Sequence, residues 1–261
     1  DSFTSDGFQV DADVKVNTNA EDYVAWCWKA NGSGSSNTDG SINTAATSAN
    51  TTAGFSILTW TANNTAGATV GHGLSSAPKM VIVKNRTSAF QWTIHHQYLT
   101  DASYVLIFTT AAQSASTAQF NDTAPSSSVI TLGAEGNTNS EDGNSMVAYA
   151  FSEIQGFSKF GTYEGNNNAD GTFVYTGFTP AYVLVKNIDA SGPKWTIQDT
   201  KRSPSGGGNP AEARLHPNDT TVEEADSDID LLSNGFKLRA TGSYQNDAET
   251  YIYMAFAEAP L

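Results

Sequence analysis

The sequence has a single cysteine, Cys27, in 261 residues, which excludes internal disulfides and any four-thiolate metal site. Charge is scarce too: Asp, Glu, Lys and Arg make up 15%, against roughly 25% in an ordinary soluble protein. Cations are the scarcer sign, with 13 Lys+Arg against 27 Asp+Glu, a net charge of -14 and a pI near 4.4. A nucleic-acid groove needs clustered cations to displace counterions from phosphate, so nucleic acid is disfavoured as a partner, and anionic membrane surfaces with it. No apolar run approaches the roughly 20 residues that span a bilayer, so no membrane insertion is expected. Helical periodicity is nearly missing, and 221–232 (TVEEADSDIDLL) is the only weak helix candidate. The sequence opens at Asp1 with neither methionine nor a signal-peptide pattern, and reads as a piece of something longer or a processed form.

What replaces charge is Ser, Thr, Asn and Gly rather than extra hydrophobes, which stand at 39%. Within this background the chain repeats itself. Gly54-Phe55-Ser56 recurs as Gly156-Phe157-Ser158, 102 residues on, and VIVKN at 81–85 recurs as VLVKN at 183–187 at the same displacement. Trp92-Thr93-Ile94 returns as Trp195-Thr196-Ile197, and MVAYAFSE at 146–153 as YIYMAFAE at 251–258. Four landmarks in one order at near-constant spacing indicate two homologous modules, 54–155 and 156–261. A partial third copy stands in front: GFQV at 7–10 with YVAWCWKA at 23–30 resembles SVITL with MVAYAFSE, and GFKL (235–238) with YIYMAFAE. Residues 1–53 therefore read as an orphan β-hairpin followed by a Ser/Asn/Thr-rich linker over 31–53.

Short period-two runs predict strands near 55–61, 68–72, 79–86, 90–98, 103–110, 117–120, 128–133 and 145–153. The second module repeats them near 157–163, 172–176, 181–188, 194–199, 213–216, 235–240 and 249–257. Turn signals separate them, among them Asp142-Gly143, Asp170-Gly171, Gly206-Gly207-Gly208 and Asn234-Gly235. The predicted fold is all-β, two tandem β-sandwich or jelly-roll-like modules. VIVKN and the final strand 251–256 are apolar on both faces, so each needs cover on a second face, from the other module, the N-terminal hairpin or another subunit. Trp26 and Trp28 share one face of their predicted strand, with Ala25 and Cys27 on the other.

Candidate chemistry is thin. His95-His96 would point to opposite faces of a strand and cannot chelate one metal, and with His72 and His216 they read as structural or surface histidines. No G-x-S-x-G elbow is present. Cys27, between tryptophans in an apolar strand, reads as a small hydrophobe. Asn166-Asn167-Asn168-Ala169-Asp170-Gly171 resembles half an EF-hand loop, but Gly177 stands where the bidentate glutamate belongs, so a polar turn is expected. Asp226, Asp228 and Asp230, preceded by Glu223 and Glu224, have the alternation that lines carboxylates along one side of an extended segment; a solvated acidic loop is expected, calcium being the lesser reading. Trp92 and Trp195 recur at matching positions and read as core, whereas Trp60 has no counterpart. The N-x-[ST] sequons at Asn31, Asn50, Asn63, Asn85, Asn121 and Asn218 follow from composition alone. No catalytic, ligand-binding or metal residue and no cofactor is assigned.

The strings GFSILTWTAN, GHGLSSAPKMVIVKN and YVAWCWKA, with GFSKFGTYEGN, DGTFVYTGFTPAYVLVKN and YIYMAFAEAP, resemble the tandem β-module proteins of tailed bacteriophages from marine and other aquatic environments. The resemblance covers nearly all of 1–261 and supplies no catalytic residues. It implies a virion structural protein, a fibre, spike or surface decoration, that is not an enzyme, forms a homo-oligomer with other virion subunits, and contacts host-surface polysaccharide at the virion surface. A tail-spike-type polysaccharide-degrading enzyme and a secreted carbohydrate-binding module or surface-layer protein are the alternatives; convergence of Asp226, Asp228 or Glu223 with another carboxylate in a groove would favour the enzyme.

Overall fold

A computed structural model of the chain describes residues 2–140, 142–202, 209–242 and 244–259. The Gly206-Gly207-Gly208 turn signal lies outside the described residues. The elements begin with the small strands β1 (Ser2–Phe3) and β2 (Phe8–Gln9). The first repeat carries β3 (Ala46–Asn50), β4 (Phe55–Thr61), β5 (Ala68–Gly71), β6 (Met80–Asn85), β7 (Thr93–His96), β8 (Tyr104–Ile107), β9 (Ser114–Ala115), one helical turn α1 (Thr117–Phe120), β10 (Val129–Leu132) and β11 (Ser145–Phe151). The second carries β12 (Ser158–Glu164), β13 (Phe173–Tyr175), β14 (Tyr182–Asn187), β15 (Thr196–Asp199), β16 (Ala211–Leu215), β17 (Glu224–Leu232), β18 (Gly235–Leu238) and β19 (Thr250–Phe256).

The chain is all-β, and the duplication is visible in its ladders. One sheet has the order β3-β4-β11-β6-β7-β8-β9, the other β12-β19-β14-β15-β16-β17-β18-β13. The series β4-β11-β6-β7 and β12-β19-β14-β15 are the same arrangement made from the repeated sequence. β5 pairs with β10 and β13 with β18, again as counterparts. Both repeats open on a glycine with positive φ, Gly54 at 66° and Gly156 at 79°; a Cβ on Gly54 would stand 2.5 Å from the Ser152 carbonyl oxygen, so the turn admits no side chain.

Period-two patterning explains the layering. On β4, β6 and β11, Leu58, Trp60, Val81, Val83, Met146 and Ala148 face the β5–β10 layer. The alternate residues Phe55, Met80 and Phe151 face the other large sheet, where they meet Phe160, Leu184, Ile197, Met254 and Phe256. On that sheet Val183, Val185, Tyr251 and Tyr253 turn to a third core under β13 and β18. The doubly apolar strands thus cover their second face against the neighbouring repeat. Polar ties fasten the seam: Gln113 N–H to Ile188 O at 3.1 Å, Gly192 N–H to Thr110 O at 2.9 Å and Gln97 Nε2 to Phe160 O at 2.9 Å.

Four expectations are corrected. Residues 23–30 form no strand and have no ladder partner, and the N-terminal hairpin is only β1 with β2. The stretch 31–53 is not all linker, because 46–50 forms β3 along β4, a Ser/Thr/Ala strand suited to a half-wet edge. The predicted strand 117–120 is the helical turn α1. The weak helix candidate at 221–232 contains strand β17.

Candidate functional site

The repeated VxVKN motif staples a hairpin. Lys84 donates to Phe90 O and Lys186 to Pro193 O at 2.8 Å. Asn85 Oδ1 accepts the N–H groups of Thr87 and Ser88, and Asn187 Oδ1 those of Asp189 and Ala190. What differs is the cover. Lys186 is 0% exposed, sealed between the modules with Thr110 O 3.5 Å from its ammonium, and burial lowers its pKa to about 8. Lys84 is only half-buried.

The tryptophans repeat the contrast. Trp195 is 1% exposed and stacked under Phe108 of the first module, with ring centroids 4.8 Å apart and planes 3° apart. Trp92, expected in the core, is 37% exposed. It stacks on Tyr149 at 6.3 Å and 26° with the Lys84 ammonium 5.9 Å from its ring. The two sheets therefore cover each other unequally, and one end of the first module's inner face is left bare.

Two concavities meet there. An apolar groove of about 860 Å³ runs along the seam, lined by Ile57, Ile82, Trp92, Phe108, Tyr149 and Leu184 among others, with Asn218, Asp219 and Thr220 at its rim. On the other side of the Trp92–Tyr149 stack, a shallow cleft of about 760 Å³ is bordered by Thr59, Lys84, Arg86, Thr87 and Ser88. Residues 24–29 close the far end of the groove: Trp28 packs on Tyr182 at 5.4 Å and on Phe256 at 5.5 Å, and Trp26 Nε1 donates to Asp199 Oδ2 at 3.0 Å. Trp26 and Trp28 do share a face; Cys27, between them, is exposed rather than packed.

A family model described as a domain of unknown function, DUF7483, matches residues 1–260. The chain belongs to the DUF7483 family. No curated protein and no solved structure matches it.

The remaining candidates of this DUF7483 chain fall into place around other tasks. His95 and His96 take opposite faces of β7, His95 against Phe120 and His96 in the seam, where Nδ1 accepts from Tyr98 N–H and Nε2 donates to Tyr253 O at 3.3 Å. Burial lowers the pKa of His95 to about 4 and that of His96 to about 3, so both are neutral. His72 is buried with Nε2 against Ser126 O, and His216 bridges Trp195 O and Glu224. The 166–171 segment is a polar turn of Asx bonds, Asn166 Oδ1 to Asn168 N–H and Asn168 Oδ1 to Asp170 N–H. Asn85, a sequon asparagine, is buried. Trp60, without a counterpart, is buried in the first module's core.

The acidic alternation lies along one side of β17 as its spacing implied; Asp228 and Asp230 are buried, while Asp226 stays exposed. Glu224, Asp226 and Asp228 converge on the Arg214 guanidinium, and Asp230 pairs with Arg239. Glu223 stands apart and pairs with Arg202. Arg214, Asp226 and Asp228 share a pocket of about 300 Å³ with Tyr244, Gln245 and Asn246. Burial raises the Asp228 pKa, while the hydrogen bond from Arg214 lowers that of Glu224. Among the described residues no three His, Cys, Asp or Glu side chains form a metal-binding group.

Proposed function

We propose that this protein is a structural component of a bacteriophage virion, a fibre, spike or surface decoration, that assembles as an oligomer and contacts host-surface glycan. The observation that carries the assembly half is the N-terminal arm. Of the twelve exposed large hydrophobic side chains among the described residues, seven lie in it: Phe3, Phe8, Val10, Val14, Val16, Tyr23 and Val24. Concentrated apolar exposure of this kind belongs to protein interfaces. The sequence resemblance to phage virion proteins points the same way, and the half-exposed Trp92 beside a polar cleft supports the glycan half, since sugar rings offer apolar C–H faces to aromatic planes. Light scattering of the full chain tests the assembly: a stable oligomer is expected, and a monomer at all concentrations overturns it.

A second reading, a polysaccharide-degrading enzyme, is favoured by one observation. Asp228 and Glu224 share one arginine and have their pKa values pushed apart, the pattern of an acid and a base at one site. Release of reducing ends from acidic or neutral polysaccharide, abolished by Asp228→Asn, would establish it in place of the binding role.

A further inference from the structure

We propose that the cleft beside Trp92 binds an acidic saccharide, a pyranose bearing a carboxylate or sulfate group. This rests on the glycan half of the reading above and adds the place and the charge of the ligand.

The four arginines are unequally engaged. Arg202 pairs with Asp199 and Glu223, Arg214 with three carboxylates, and Arg239 with Asp230. Arg86 alone meets no carboxylate among the described residues, in a chain with 27 acids to 13 bases. It is exposed at the end of β6 and borders the cleft. The repeat makes this position informative. The residue matching Arg86 in the second module is Ile188, which is buried in the seam. Where the neighbouring module covers the site the residue is apolar, and where it leaves the site bare the residue is a cation.

The rest of the cleft suits a sugar. Trp92 and Tyr149 supply an aromatic surface, and the Trp92 indole N–H, the Tyr149 hydroxyl and the Thr59 hydroxyl form no hydrogen bond among the described residues, leaving donors and acceptors for ring hydroxyls. The guanidinium fork matches a carboxylate or sulfate in two parallel bonds. Lys84, held by Phe90 O and close to the Trp92 ring, adds positive potential at the same edge. A cleft this shallow holds one ring weakly, and an oligomer multiplies it along a polymer.

Affinity electrophoresis of the full chain in gels carrying polygalacturonate, dextran sulfate or neutral dextran tests the proposal. Retardation by one or both acidic polymers is expected, weakened about tenfold or more by Arg86→Gln and by Trp92→Ala, with unchanged far-ultraviolet dichroism and a cooperative urea transition showing that each variant is folded. Retardation by polygalacturonate alone identifies the anion as a uronate, and by dextran sulfate alone as a sulfate ester. Equal retardation by dextran, insensitive to Arg86→Gln, overturns the acidic ligand while leaving glycan contact intact. Retardation by an acidic polymer that Arg86→Gln leaves unchanged overturns this site. Retardation by none of the three overturns both the site and the glycan reading.

Discussion

Lys84 and Lys186 hold the same position in two like strands and make the same bond, to Phe90 O and to Pro193 O, yet only Lys186 is sealed from water. The difference comes from the offset between the modules: Thr110 of the first lies over Lys186, while Trp92 is left 37% exposed. The environment, rather than the motif, decides which lysine is buried.

Stability should therefore rise with pH above neutrality. Burial lowers Lys186 to about 8, whereas the unfolded lysine keeps its ordinary 10.5. Between these values the unfolded chain binds the extra proton, so raising the pH favours the folded state, by up to about 3 kcal/mol across the window. Urea midpoints at pH 7.5 and 9.5 should differ for the natural protein and converge for Lys186→Met; a slope that survives the substitution assigns it to other groups.

At the acid end the sign is the same, because these too are bases whose pKa is lowered by burial. His95 and His96 are lowered from 6.5 to about 4 and about 3. The stability they confer as neutral rings is full above pH 6.5 and is lost as the pH falls through about 4 for His95 and about 3 for His96, with His95 alone accounting for about 3 kcal/mol. Denaturation midpoints followed from pH 7 to 4 should fall less steeply in His96→Gln.

Removing the Arg214 side chain leaves Asp228 buried without its countercharge. Arg214→Met should cost about 3–5 kcal/mol at pH 7 and less at pH 4, where Asp228 takes up a proton. A loss independent of pH would mean that Arg214 acts through packing against Tyr244, 5.1 Å from its guanidinium carbon.

The arm is held by its tryptophans. Trp28→Ala removes contacts with Phe151, Tyr182 and Phe256 and should lower stability by about 2–3 kcal/mol, below the 3–5 of a fully enclosed Trp→Ala. Limited proteolysis should then cut within 10–30 before the rest unfolds. Resistance equal to that of the natural protein would mean that Trp26 and the Asp199 bond suffice.

Much of the architecture was legible because it rests on local rules. VIVKN and VLVKN announced strands apolar on both faces, and the demand for a second cover is met by the other module. Glu224, Asp226, Asp228 and Asp230 announced one acidic side by alternation alone; that the side meets Arg214 and Arg239 depends on strands brought together by the fold. YVAWCWKA reads like β11 and β19, but ladder pairing needs free edges beside it, so its tryptophans pack into the groove instead. Trp92 was misread as core for a related reason: repetition of a residue reports a shared ancestor, while burial is set by what lies opposite. Arg86 carried a signal in the comparison of VIVKNR with VLVKNI, visible once the seam showed why Ile188 must be greasy.

Two copies that mate out of step cannot keep identical obligations. Trp195 is now committed to the joint, so changes there would loosen the whole body. Its twin at position 92 is excused from that duty, and the surface around it can diversify from one relative to the next without endangering the scaffold underneath.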